Sequence, residues 1–148
     1  MTTINKEYVP IHFLKFVSED DTFMVLFKDS SDEFFPLVVP IASYYHLEHI
    51  YEDDMHQENY FVDIIYKIDK PKSLFIEKDE TGFLYYYISE KDIRRKLNLI
   101  DIITISIRYN LSINLDIFLT DEINYFTDSP TNVDLYRLGN IDFENFKH

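Results

Sequence analysis

Cysteine and tryptophan are absent from this 148-residue sequence, which has only two glycines and one alanine. Without cysteine the chain can form no disulfide bond, no thiolate nucleophile and no cysteine-ligated zinc site. The two glycines, Gly82 and Gly139, stand alone, so there is no glycine-rich loop to cradle a phosphate, and no G-x-S-x-G motif occurs. These absences argue against a nucleotide cofactor and against classical hydrolase chemistry.

Long apolar runs are also missing. No segment offers about 18 uninterrupted apolar residues, the length that a membrane helix needs. The opening sequence, MTTINKEYVP, lacks a basic stretch followed by an apolar one. We therefore expect a cytoplasmic protein that does not associate with membranes.

Positive charge is scarce. The chain has 27 acidic residues against 14 lysines and arginines, a net charge of −13. Such a charge repels phosphate backbones and opposes unassisted binding of nucleic acids. Two considerations leave nucleic acid open as a partner. A metal-dependent nuclease can carry surplus carboxylates around its ions, and eight of the basic residues fall between Lys67 and Lys96.

The remaining composition is that of a globular protein. Hydrophobic residues make up 46% of the chain and aromatic residues 17%. This content excludes disorder for most of the length and is sufficient for one hydrophobic core. We expect a single domain over residues 1–148.

The residue pattern along the chain predicts an α+β fold. Alternating apolar residues between polar turns indicate strands at 8–17, 22–28, 34–41, 73–78 and 83–89, with a short basic segment at 91–97. Helical spacing indicates helices at 42–52 and 58–68. The residues of the second helix expected to face the core are Tyr60, Phe61, Ile64, Ile65 and Ile68. A turn at 128–130 and a short helix near 133–138 are expected further on.

The most apolar and least charged stretch covers residues 99–123. Ile103, Ile105 and Ile107 alternate with polar residues, which indicates a strand, but a stripe at helical spacing runs through the same segment. Periodicity leaves both open, and the β-branched residues favour the strand. A clearer alternation predicts a short strand at 115–119, closed by Asp121 and Glu122.

Asp101, the run IITISIR, a turn and the segment DIFLTDEI resemble the C-terminal signature of the bifunctional nuclease domain family of bacteria and plants. That family has R-P-S-D-A-I-x-L-A-x-R, a turn and P-I-[FY]-V; Asp101 matches the signature aspartate and Arg108 the closing basic residue. The resemblance spans about residues 8–125 and leaves 126–148 as a C-terminal extension. It implies a buried helix at 99–109, and we follow it against the alternation.

The resemblance implies both an architecture and an activity. The expected fold is α+β, a mixed or antiparallel sheet of about six strands with about three packed helices. The implied enzyme hydrolyses phosphodiester bonds of DNA and RNA with a divalent metal ion, and Asp101 and His56 would be ligand or orienting residues. Several family motifs differ here. Pro40 and Ser43 stand at a glycine and a glutamate position, and R-P-x-T-H-D before the second helix reads EDDMHQEN.

Those departures motivate a second hypothesis. The chain would be a catalytically silent binding or homo-oligomeric assembly module on the same fold, with its many tyrosines and phenylalanines at a protein interface. Asp101 would then have a structural role only, satisfying free N–H groups in the first turn of its helix.

Three histidines and an aspartate form the best local set of metal-ligating side chains: His46, His49, Asp53 and His56. Their spacing puts the first three on one helical face, where imidazole and carboxylate groups suit Zn, Mn or Ni. The sequence therefore predicts a divalent metal held by His46, His49 and Asp53. The alternative is a solvent-exposed helix face that ends in an acidic turn.

Arg94, Arg95 and Lys96 are candidate phosphate contacts, and the tyrosines at 85–87 are candidates for stacking on bases. On a strand Arg94 and Arg95 point to opposite faces, so one surface can use only part of the cluster. The alternative for the tyrosines is a strand with one core face and one exposed or interfacial face.

Overall fold

A mixed β-sheet forms the frame of the protein. The structure is a computed structural model in which residues 6–119 are described. The strands are β1 (Tyr8–Glu19), β2 (Thr22–Lys28), β3 (Phe34–Val38), β4 (Pro71–Asp79), β5 (Gly82–Ser89), β6 (Arg94–Lys96) and β7 (Ile113–Asp116). The helices are α1 (Ile41–Glu52), α2 (Phe61–Ile68) and α3 (Leu99–Tyr109), and residues 117–119 are also helical.

The strand order is β3-β2-β1-β7-β4-β5-β6. All neighbours pair antiparallel except β4 and β7, which run parallel because α3 carries the chain back across the sheet before β7. The expected α+β class is confirmed, with seven strands in place of about six. No helix among residues 6–119 has the length and apolar character needed to cross a membrane.

The helix α3 lies at the centre of the core. Ile102, Ile103 and Ile105 are completely buried, and α3 contacts the sheet through β1, β4, β5 and β7 as well as α1 and α2. The Asn98 side chain accepts the N–H of Asp101 at 2.8 Å and caps the helix start. The helix at 99–109 is therefore confirmed. The alternation of apolar and polar residues in this segment was misleading, because a helix packed on several sides buries consecutive residues as well as every third or fourth one.

The last predicted strand is shorter than expected. The strand β7 ends at Asp116, where the carboxylate accepts the N–H of Phe118 at 3.1 Å and turns the chain into the helical residues 117–119. The prediction of a strand through 119 is therefore wrong beyond Asp116. The turn at 128–130 and the helix near 133–138 lie outside the described residues.

The predicted helix at 58–68 is present as α2, but it begins at Phe61, and most of the residues expected to face the core are exposed. Val62 and Ile65 are buried, whereas Phe61, Ile64 and Ile68 are 61%, 55% and 70% exposed. These three residues lie at i, i+3 and i+7 on one face of the helix, and we call them the α2 stripe. The expectation that they face the core is wrong, since polar contacts described below hold the opposite face against α3.

We predict that truncation of two adjacent isoleucines of α2 has very different effects on stability. Ile65→Ala should lower the free energy of unfolding by about 3 kcal/mol, because it leaves a cavity beneath the helix. Ile64→Ala should change it by less than about 0.5 kcal/mol, because Ile64 is exposed. Urea unfolding at low protein concentration measures both. Equal losses at the two positions would show that α2 is oriented differently.

Candidate functional site

The buried side chain of Arg108, near the end of α3, is the centre of a polar cluster. Only 1% of this side chain is exposed. Its Nε donates to Asp63 Oδ1 at 2.6 Å, Nη2 donates to the Glu58 carbonyl oxygen at 2.8 Å, and Nη1 donates to Asp53 Oδ2 at 3.3 Å. Arg108 therefore ties α3 to α2 and to the connection between α1 and α2.

Asp63 is the main partner of this guanidinium. Burial acts to raise the pKa of Asp63, but hydrogen bonds from Arg108, the Tyr109 hydroxyl and the Tyr60 N–H outweigh it, so the pKa lies below its ordinary value. Tyr109 also stacks on Tyr66 with ring centroids 3.7 Å apart. These contacts hold one face of α2 against α3 and leave the α2 stripe on the outside.

Asp53, a predicted metal ligand, closes the connection that follows α1. Its carboxylate accepts the backbone N–H of Gln57 at 2.8 Å and of Glu58 at 3.1 Å. These two bonds, more than the contact with Arg108, lower the pKa of Asp53. The carboxylate is therefore ionised at neutral pH and engaged within the fold.

The two helical histidines of the predicted metal site have separate neighbours. His49 Nε2 lies 3.2 Å from Glu58 Oε2, and the His46 ring packs edge-on against Tyr60 with centroids 5.7 Å apart. Both histidines are exposed. Between Lys6 and Leu119, no group of three or more His, Asp or Glu side chains is arranged to hold a metal ion. A metal at His46, His49 and Asp53 stays a prediction.

The two predicted catalytic residues lie at opposite ends of α3. The His56 ring packs edge-on against Tyr109 with centroids 5.5 Å apart, whereas Asp101 lies in the first helical turn. At 1.5 Å per residue, the eight residues from Asp101 to Tyr109 correspond to about 12 Å along the helix axis. Asp101 and His56 therefore have different surroundings, and their role as ligand or orienting residues stays a prediction.

Asp101 has a different neighbour, His46 on α1. Burial raises the pKa of Asp101, while the hydrogen bond with Asn98 and the charge of His46 act in the opposite direction. Asp101 and His46 are thus close enough to interact electrostatically. The capping role expected for Asp101 belongs instead to Asn98, whose side chain accepts the first-turn N–H.

The three candidate phosphate contacts form the edge strand β6, and two of them are paired internally. The Arg94 guanidinium lies 4.0 Å from the centre of the Tyr86 ring and 3.8 Å from Glu77 Oε2. Arg95 Nε lies 3.2 Å from Asp69 Oδ2. The two arginines point to opposite faces of the sheet, as predicted. Lys96 is exposed.

The tyrosines of β5 that lie next to β6 make their contacts inside the domain. Phe75 stacks on Tyr86 with centroids 4.8 Å apart, and Arg94 lies over the same ring. Tyr87 packs in the core, and its hydroxyl donates to Asp69. Tyr86 and Tyr87 are each only 4% exposed, so neither ring is available to stack on a base.

Other cations of the basic segment are also neutralised. Lys70 Nζ lies 3.6 Å from Glu90 Oε1, and Lys72 pairs with Asp92. At least four of the eight basic residues between Lys67 and Lys96 therefore have acidic partners: these two lysines and the two arginines of β6. The local positive strip expected from the sequence is much weaker in the fold.

Sequence reasoning missed the acidic residues that organise these contacts. Asp63, Glu58, Glu77 and Asp116 were not singled out, although Glu77 and Asp116 are only 6% and 1% exposed. An available signal was an acidic residue within an apolar segment, as in FVDIIYKI and SLFIEK. Such a residue predicts a buried partner of opposite charge or a hydroxyl donor.

No family model and no curated protein matches this chain. The resemblance to the bifunctional nuclease domain family therefore stays a prediction.

We predict that Arg108→Ala lowers the free energy of unfolding at pH 7 by about 3 kcal/mol or more, because it strands the Asp63 carboxylate in a mostly buried position. Arg95→Ala is the matched control. Its side chain is 53% exposed, so the loss should be much smaller. Urea unfolding measures both.

The loss of stability caused by Arg108→Ala should also depend on pH. The lowered pKa of Asp63 means that its ion pair stabilises the native state above the ordinary aspartate pKa and is lost as the pH falls through the lowered value. The difference in the free energy of unfolding between wild type and Arg108→Ala should therefore become smaller below about pH 4. A difference that stays constant down to pH 2 would contradict an ionic role for Arg108.

Proposed function

We propose that this domain is a catalytically silent binding or assembly module, and that it binds through the α2 stripe. The observation that carries the proposal is the exposure of three large apolar side chains, Phe61, Ile64 and Ile68, on successive turns of one helix. A contiguous exposed apolar surface of this kind is typical of a protein interaction site.

The α2 stripe has the spacing that helix recognition uses. Apolar residues at i, i+3 and i+7 form the seam by which one helix packs against another helix or into a groove. The face of α2 that carries Asp63 and Tyr66 is held by Arg108 and Tyr109, so the helix cannot rotate to bury the stripe among the described residues without breaking these contacts. Within residues 6–119 the stripe therefore stays exposed, which supports its use as an interaction surface.

The charges support a silent module over a nuclease. The net charge is −13, and both arginines of β6 are already paired with acidic residues. A phosphate backbone would have to displace those partners against the overall repulsion.

The cytoplasmic location stays a prediction.

The test is photo-crosslinking inside cells that produce the full chain. A photo-reactive amino acid at position 64 should give a covalent adduct with a binding partner. The matched control is position 83, because Phe83 is 54% exposed and lies in the β4–β5 hairpin. Adducts from position 64 and none from position 83 support the proposal. No adduct from position 64 would contradict it.

A metal-assisted nuclease of the bifunctional nuclease type is the second candidate. It is favoured by Asp101, a partly buried carboxylate whose pKa is raised by burial and which interacts electrostatically with His46. Carboxylate and imidazole groups can move protons or hold a divalent ion that activates water. The order of elements also supports it, because two helices, a hairpin, a buried helix and a final strand follow the opening strands as the resemblance implies.

We predict that metal-stripped protein cleaves neither plasmid DNA nor RNA when Mg, Mn or Zn is added back. The test includes Asp101→Asn, which keeps the shape of the side chain and removes its charge, and His46→Ala. Cleavage restored by an ion and abolished in both variants would establish the nuclease and overturn the silent module. Cleavage unchanged in both variants would indicate a contaminant.

A further inference from the structure

We propose that residues 120–148 of this chain dock on the face of the sheet opposite the helices, where β1, β2 and β3 form an apolar patch. We call it the back patch, and it consists of Leu14, Val17, Met24, Leu26 and Phe34. The inference goes beyond the proposed function, because it concerns a different surface. It is carried by the burial of this patch and by the length of chain that follows Leu119.

The strand β2 is buried on both of its faces. Four consecutive residues, 24–27, are each at most 1% exposed. A strand of an antiparallel sheet with one solvated face alternates between buried and exposed side chains, whereas a continuous buried run is typical of a strand covered on both sides. Both faces of β2 are therefore shielded from water.

Among residues 6–119, helices pack against only one of these two faces. Val25 and Phe27 lie in the main core together with side chains from α1, α2 and α3. Met24 and Leu26 belong to a separate cluster, whose members all come from β1, β2 and β3. Side chains on an uncovered sheet face keep part of their surface in contact with water. The near-complete burial of this cluster therefore points to a cover from outside residues 6–119.

Length decides which part of the chain can provide that cover. The Ile117 N–H donates to the Glu7 carbonyl oxygen at 3.0 Å, so both ends of the described chain lie near the start of β1. Val17 in the back patch lies about 30 Å further along this strand. Fully extended, residues 1–5 span only about 18 Å, whereas residues 120–148 can span up to about 100 Å. Residues 120–148 are therefore long enough to cover the patch, and residues 1–5 are not.

The composition of residues 120–148 suits an apolar surface. Large apolar side chains recur along the segment, in NYF at 124–126, VDLYRL at 133–138 and IDFENF at 141–146. Such side chains gain free energy when they leave water for an apolar patch. Because α2 packs on the helix side of the sheet, a segment docked on the back patch lies on the other side of the sheet from α2 and does not compete for the α2 stripe.

The first experiment is photo-crosslinking of the purified full chain at low concentration. A photo-reactive phenylalanine analogue replaces Phe34, which lies at the edge of the back patch and is only partly buried. Mass spectrometry of the digested monomer should show crosslinks from position 34 to peptides of residues 120–148. The same analogue at Phe83, an exposed position in the β4–β5 hairpin, should give none to that segment.

Two results at position 34 would overturn the proposal. One is a crosslink that joins two chains, because a second copy would then cover the back patch. The other is the absence of any crosslink to residues 120–148.

The lack of cysteine in the chain allows a second measurement. A single thiol introduced by Met24→Cys in the full chain should react slowly with a thiol reagent, because position 24 is buried. Changing the phenylalanines and leucines of residues 120–148 to serine should raise that rate at least about tenfold, since the cover would be lost. A thiol introduced by Phe83→Cys should react at the same rate with or without these changes.

The matched control changes an equal number of asparagines and threonines of residues 120–148 to serine and should leave the thiol at position 24 protected. Urea unfolding establishes that each variant is folded. A thiol at position 24 that stays protected after the apolar changes would overturn the proposal, because another part of the molecule would then cover the patch. The crosslinking leaves residues 120–148 unchanged, so it decides the question even if the serine variant does not fold.

Discussion

The ion pair between Arg108 and Asp63 determines which face of α2 packs against α3. A guanidinium with 1% of its side chain exposed must be neutralised and hydrogen-bonded within the fold. Asp63 on α2 and Asp53 after α1 supply the carboxylates, and a backbone carbonyl accepts a further N–H. Because Asp63 must face α3, the Phe61 side of α2 faces outward. The pairing of Asp63 with Arg108 therefore accounts for the outward direction of the α2 stripe, and Asp53 is engaged within the fold by Gln57, Glu58 and Arg108.

Other acidic residues of the chain also pair with basic residues of the same domain. Glu77 and Asp69 accept the two arginines of β6, and both tyrosine rings beside that strand are enclosed. The basic segment that looks suited to phosphates in the sequence is thus part of the internal contacts of the sheet. An arrangement of strands and helices does not by itself determine activity, because the surface chemistry can change while the fold is retained.

The sequence predicted well those features that depend on local pattern. The opening strands, the β4–β5 hairpin and the helices α1 and α2 follow from alternation, turn residues and helical spacing. The segment around Ile103 needed the family resemblance, because periodicity left strand and helix open. Of the candidate site, the sequence found Asp53, His49 and Arg108, which meet around one loop, but it assigned the first two to a metal ion.

The sequence by itself determined which segments form strands and helices and which residues carry charge, because backbone propensity and side-chain chemistry are local properties. Only the tertiary structure decided which face of α2 is buried, which carboxylate pairs with Arg108, and that Asp101 and His56 lie at opposite ends of α3. These outcomes depend on residues far apart in the chain. Asp63 and Arg108 are separated by 45 positions, so the local pattern of α2 could not show that its Asp63 side, and not its Phe61 side, would face α3.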